Sequence, residues 1–315
     1  MTAKTRVALA LGGGGARGYA HIGVIEELTE RGFDIVGIAG TSMGALVGGL
    51  HATGTLPAYA EWARALTQRD VLRLLDPTIS GPGMLRADKI LATVTELVGE
   101  TLIEDLPIPF TAVATDLTAR KEIWFQRGRL DTAIRASIAI PGVMWPVVVG
   151  GRLLADGGLM NPVPVVATAA MAADVTIAVS LSDELIASEG WPDPEPSLLE
   201  AIDNPAKSES ELARSLRTWL DNIRGQAGEE AVPDEPVPEQ EFERPPAGLR
   251  TRDVLDLSLD TMRSVMGRYR LAGYPPDVMI TIPRSTGGTM EFHRAQEFIA
   301  AGRERTRQAL ERALP

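Results

Sequence analysis

The sequence predicts an α/β fold on a mainly parallel sheet, and two glycine-rich junctions carry that expectation. Arg6 to Leu11 is a short apolar run that leads into Gly12-Gly13-Gly14-Gly15-Ala16-Arg17-Gly18, followed by a helical stretch turning Ile22, Ile25 and Leu28 inward. Gly32 ends that helix, and Ile35 to Ala39 runs into Gly40-Thr41-Ser42-Met43-Gly44 before a small-residue helix beginning near Ala45. Strand, loop and helix, repeated once, make a βαβα unit of neighbouring parallel strands. With 315 residues and 44% hydrophobic content, the chain can bury a full core.

Further along, Ala58 to Leu75 and Asp88 to Val98 read as helices separated by Asp76-Pro77 and the Gly81-Pro82-Gly83 loop. Phe110 to Ala114 and Glu122 to Gln126 read as neighbouring strands, and Leu130 to Ala139 as a helix ended by Pro141. Val147 to Val149 and Arg152 to Ala155 flank Gly150-Gly151, the pair of positive-φ residues that a two-residue hairpin turn demands. That hairpin delivers Asp156 to a strand end, before Gly157-Gly158. Asn161-Pro162 then opens a predicted helix through Met171, followed by a strand from Val175 to Leu181. Val254 to Leu271 is expected as a long helix, Asp277 to Ile282 as a strand and Glu291 to Leu314 as a closing helix.

Charge and composition narrow the function. The net charge is -11, and residues 183 to 250 hold 17 acidic and 6 basic side chains, so that segment accounts for all of it. This Pro- and Glu-rich stretch reads as a solvated insertion. Within it Leu212, Leu216, Trp219, Leu220 and Ile223 form a stripe at helical spacing, fit for packing or for a lid or membrane contact. A balanced remainder without a basic patch excludes a nucleic-acid partner. The absence of cysteine removes thiol nucleophiles, disulfides and thiolate metal sites. No apolar run is long enough to span a membrane, so a cytoplasmic protein is expected.

The chemistry centres on Ser42. Its Gly-x-Ser-x-Gly setting places a hydroxyl at the tip of a sharp strand-to-helix turn, where helix amides favour developing negative charge. A serine needs a base and an oxyanion site. Bare amides of the first glycine loop suit the oxyanion, with Arg17 adding charge or bracing the loop. For the base, His21 and His51 lie on helices after the loops and read as packed or surface residues. His293 completes the order Ser42, Asp156, His293 of a hydrolase triad, whereas Asp156 alone would act directly in a dyad.

Taken together, Gly13-Gly14-Gly15-Ala16-Arg17-Gly18, Gly40-Thr41-Ser42-Met43-Gly44 and Asp156-Gly157-Gly158 resemble the patatin-like phospholipase family in its bacterial branch. Arg135-Ala136-Ser137 with Pro141 and Pro146, Ala114-Thr115-Asp116-Leu117, and Asn161 with Pro162 or Pro164 strengthen the resemblance. It implies one three-layer α/β/α domain: a catalytic core over 1–182, the insertion over 183–252, and a C-terminal helix-strand-helix over 253–315. It further implies lipid acyl ester hydrolysis through an acyl-enzyme, without metal or organic cofactor. Ser42 would be the nucleophile and Asp156 the base, with Gly13, Gly14, Gly15, Arg17 and Gly18 around the oxyanion. The expected partner is a lipid or acyl-ester substrate, met in transient contact with a membrane surface; oligomeric state is left open. Two other readings exist: a non-catalytic scaffold of this fold, and a dinucleotide site at Gly13-x-Gly15-x-x-Gly18. The second lacks the acidic residue expected at the end of the next strand.

Overall fold

In a computed structural model, residues 4–74, 83–85, 88–182 and 251–313 are described. The acidic segment over 183–250, with its apolar stripe, lies outside them. The chain divides into one compact unit of Met1–Glu189 with Leu259–Pro315, and a second of Gly190–Ser258. Among the described residues the second contributes only the first turns of one helix.

The first unit is built on an eight-stranded sheet. The elements in order are β1 (Arg6–Leu11), α1 (Ala20–Glu30), β2 (Asp34–Thr41), α2 (Met43–Ala52), α3 (Leu56–Ala65), α4 (Gln68–Leu74), β3 (Gly83–Leu85), α5 (Asp88–Val98) and β4 (Phe110–Asp116). Then follow β5 (Lys121–Phe125), α6 (Leu130–Ser137), β6 (Gly142–Met144), β7 (Val147–Val149), β8 (Arg152–Asp156), β9 (Val175–Ser180), α7 (Thr251–Gly273), β10 (Val278–Thr281) and α8 (Ala295–Ala313). The main sheet runs β10-β9-β1-β2-β4-β8-β7, with β5 also paired to β4. From β10 to β4 every pairing is parallel; β5, β8 and β7 join antiparallel.

Alternation in β1 explains how the sheet is covered on both faces. Val7, Leu9 and Leu11 pack into the large core that holds α1, α2 and α8, while Ala10 and Ala178 meet Val163 and Val165 on the opposite face. Leu271 of α7 packs against that smaller cluster. Small residues on this side let the irregular segment after β8 lie close to the strands. Gly150 and Gly151 both take positive φ (56° and 75°), as the hairpin between β7 and β8 requires. Among the described residues no helix is long and apolar enough to cross a membrane.

Three departures from the sequence reading have local causes. The expected helix from Ala58 breaks into α3 and α4 because Leu66 is extended and Thr67 starts a new cap: its hydroxyl and Asp70 exchange hydrogen bonds with each other's amides. Between Asn161 and Met171 only a 3-10 turn forms, Val165–Thr168, where a helix was expected. Pro162 and Pro164 supply no N–H donors there, and Val163, Val165 and Val166 add β-branched crowding. β3 and β6 pair in a small parallel ladder that neither short run announces.

Candidate active site

Sheet order brings the serine turn and the aspartate turn together. Thr41, the last residue of β2, lies beside Val113 of β4, and the next β4 residue, Ala114, lies beside Asp156 of β8. A single strand therefore separates two loops that are far apart in sequence. On the other flank, Leu11 of β1 pairs with Gly40, which sets the glycine loop beside the same turn.

Ser42 adopts φ 56° and ψ −124°, a conformation that side chains other than glycine rarely take, and it caps the N-terminus of α2. Close packing holds it there. A Cβ on Gly40 would overlap the Gly44 carbonyl, and one on Gly44 would overlap the Leu11 carbonyl. The Ser42 amide donates to Ser137 Oγ at 2.9 Å, and Ser137 Oγ donates to the Val113 carbonyl at 2.6 Å. Thr41 Oγ1 donates to the Asn161 carbonyl at 2.8 Å.

Asp156 is 3% exposed, as is Ser42. Its Oδ1 accepts the Gly158 amide at 2.7 Å, which caps the 3-10 turn Gly157–Leu159. Its Oδ2 is buried and, among the described residues, makes no hydrogen bond of normal geometry. Burial pushes the carboxyl pKa above the usual aspartate range; the Ser42 hydroxyl, the Arg263 charge on α7 and the Gly158 amide pull against that rise. The hydroxyl is thus close enough to favour the carboxylate, and Oδ2 keeps its acceptor capacity.

The glycine loop divides its amides between anchoring and availability. Gly12 donates to the Val179 carbonyl, Gly13 to Pro162 and Ala16 to Thr289, at 3.0, 3.0 and 2.8 Å. Among the described residues the amides of Gly14 and Gly15 have no acceptor. Gly13 contributes proximity: a Cβ there would stand 3.2 Å from Ser42 Cβ. Gly15 has φ 57°, and Gly18 lets the turn lie directly on Met43, whose Cβ would collide with any side chain there. Arg17 is buried within the 3-10 turn Gly15–Tyr19. Among the described residues no three His, Asp or Glu side chains converge as a metal site requires.

Residues 9–169 match the family model described as patatin-like phospholipase. An uncharacterized NTE family protein of Mycobacterium tuberculosis (strain ATCC 25618 / H37Rv) is 51% identical over 337 residues, covering 98% of this chain and 92% of its own. The chain belongs to the patatin-like phospholipase family. A second NTE family protein, from Mycobacterium bovis, is 38% identical over 216 residues, which are 68% of this chain and 35% of that protein. Neuropathy target esterase sws of Drosophila persimilis is 37% identical over 165 residues, 50% of this chain and 11% of the relative. Patatin-like phospholipases act on lipid substrates. The second strand ends at the serine turn without the acidic residue that a dinucleotide site uses to hold a ribose.

The histidines fall into separate places. His21 is completely buried, and its Nε2 donates to the Gly12 carbonyl at 2.7 Å, since a carbonyl can only accept. Its Nδ1 has no partner among the described residues, and burial lowers its pKa to about 4, so the ring is neutral. The Gly12–Gly13 peptide is thereby pinned at both ends, C=O to His21 and N–H to Pro162. His293 sits in the 3-10 turn Phe292–Arg294 beside Glu291 and Glu297, and no hydrogen bond joins it to Ser42 or Asp156 among the described residues. Sequence reasoning assigned no role to Ser137, to Arg263 or to the clamp made by His21. The signals on offer were the family-like stretch that holds Ser137 and, for His21, a glycine loop with a histidine on the following helix.

Proposed function

We propose that the protein hydrolyses acyl esters of lipids through a Ser42–Asp156 dyad. The observation that carries this reading is the meeting of a strained, amide-anchored serine with a buried carboxylate whose Oδ2 has no other partner among the described residues. Ser42 Oγ attacks the ester carbonyl while its proton passes to Asp156 Oδ2. The amides of Gly14 and Gly15, helped by the N-terminus of α2, receive the oxyanion. As the C–O bond to the alcohol breaks, Asp156 returns the proton to the leaving oxygen, and Ser42 holds the acyl group. Water then gives a proton to Asp156, attacks the acyl carbon and releases the acid, and Ser42 recovers its proton.

An aspartate suits this task because desolvation raises its affinity for a proton toward what a serine hydroxyl demands. A fluorophosphonate probe tests the assignment: wild type becomes labelled at Ser42 and Ser42→Ala does not. Equal labelling of the two would overturn it. A screen of acyl esters against the same pair identifies the preferred lipid.

A further inference from the structure

The short segment Asn161-Pro162 touches all three parts of the site. The Asn161 amide donates to the carbonyl of Gly157, the residue after Asp156, at 2.8 Å. Its own carbonyl accepts the hydroxyl of Thr41, the residue before Ser42, at 2.8 Å. The Pro162 carbonyl takes the Gly13 amide at 3.0 Å. Base turn, nucleophile turn and glycine loop are therefore tied to two consecutive residues. Both of these lie outside the helices and strands, in the stretch between β8 and β9, so no ladder fixes their position.

Glu122 on β5 supplies the anchor. Asn161 is 1% exposed, and its Nδ2 donates to Glu122 Oε2 at 2.9 Å, while its Oδ1 has no donor among the described residues. A carboxylate only accepts, so this contact settles which end of the amide faces Glu122. From the other side Arg270 Nη1 of α7 donates to Glu122 Oε1 at 3.0 Å and braces the carboxylate. The two side chains are 22% and 25% exposed, so their attraction is less screened than that of a surface ion pair. Glu122 also stands opposite Thr115 in the β4–β5 ladder, where facing residues share one side of the sheet. Thr115 Oγ1 donates to the Asp156 carbonyl at 3.0 Å. One cross-strand pair thus holds the base turn at two points, Thr115 at Asp156 and Glu122 at Asn161.

We infer that Glu122 is a positioning residue: through Asn161 it sets the spacing of Ser42, Asp156 and the glycine loop. Its effect on turnover rests on the hydrolase reading above; its effect on the backbone around the site does not.

Glu122→Met keeps the volume and removes the acceptor, whereas Glu122→Gln keeps an acceptor oxygen for Asn161 and loses the charge paired with Arg270. On p-nitrophenyl butyrate, Glu122→Met lowers kcat about tenfold to a hundredfold with KM within about twofold, because a displacement of about 1 Å at the reacting groups costs on that order. Glu122→Gln returns kcat to within about threefold of wild type. Hydrogen exchange read by mass spectrometry needs no turnover: peptides carrying the Gly13 and Asn161 amides exchange faster in Glu122→Met than in wild type or Glu122→Gln, and those of α8 keep their rate. Glu122→Asp, one methylene too short to reach both partners, moves both readouts in the same direction and guards against a Met variant that does not fold. Wild-type kcat and wild-type exchange in Glu122→Met overturn the inference. So does an equal loss in Glu122→Gln, which would assign the effect to the ion pair with Arg270. A wild type inert to esters and to fluorophosphonate would instead sink the hydrolase reading, with the exchange comparison still deciding the role of Glu122.

Discussion

Replacing His21 with Gln isolates a pH-dependent part of the stability. The imidazole is neutral in the fold because burial lowers its pKa from 6.5 to about 4, and the hydrogen bond to Gly12 offsets that only in part. Between those values the unfolded chain binds the proton and the folded chain does not. Stability from this group is therefore complete above about pH 6.5 and is lost as the pH falls toward 4. The gap amounts to roughly 3 kcal/mol at about 1.4 kcal/mol per pH unit. A glutamine in its place retains an N–H donor for the Gly12 carbonyl and has no proton to gain. Burial lowers the pKa of His51 as well, but that residue is common to both chains and cancels in the difference. Urea unfolding of wild type and His21→Gln at intervals from about pH 4.5 to about pH 7.5 reads the effect. The difference between the two curves shrinks or reverses by about 2–3 kcal/mol toward acid, wild type losing more. Parallel curves would refute the neutral, desolvated imidazole and with it the clamp on the glycine loop.

Other consequences are equally direct. Ser137→Ala leaves the Ser42 amide and the Val113 carbonyl unpaired in the core, costing roughly 2–5 kcal/mol in urea unfolding; kcat falls about tenfold to a hundredfold as the turn loosens. Wild-type stability and kcat in that variant would contradict the bridging role. Asp156→Asn lowers turnover by about 10²–10⁴ yet is at least as stable at neutral pH, because a carboxamide keeps the acceptor for Gly158 and escapes the burial penalty on the charge. Loss of stability comparable to the loss of activity would point to a purely structural aspartate. Since burial raises the Asp156 pKa, the acid limb of kcat/KM lies above the ordinary carboxylate range near 3.8; a limb at or below that value would be inconsistent with this base. His293→Ala leaves kcat/KM unchanged across that same profile, and a large loss would revive the triad.

The turns around Ser42 and Asp156 were legible because their geometry resides in short local patterns. Gly40 and Gly44 announce a turn that tolerates no Cβ at either flank, and the turn forms with Ser42 at positive φ. The β7–β8 hairpin was equally plain, since two consecutive glycines meet a requirement of the turn itself. The segment after Asn161 was misjudged because apolar spacing suggested a helix, whereas two prolines and three valines oppose one. Ser137 was recognised only as part of a family-like stretch; nothing in its neighbours shows that its hydroxyl bridges two strands.

Local backbone demands, written in glycine, proline and apolar period, determined by themselves where the chain turns, which serine sits at the tip of a strand-to-helix turn and which carboxylate stands at a strand end. Tertiary structure alone decided the partners: that β4 separates the two loops, that Ser137 and His21 pin the backbone around the site, and that the Gly13 amide bonds to Pro162 while those of Gly14 and Gly15 have no acceptor among the described residues. The reason is that a hydrogen bond between distant residues depends on strand order and packing depth, and neither quantity is carried by any short stretch of sequence.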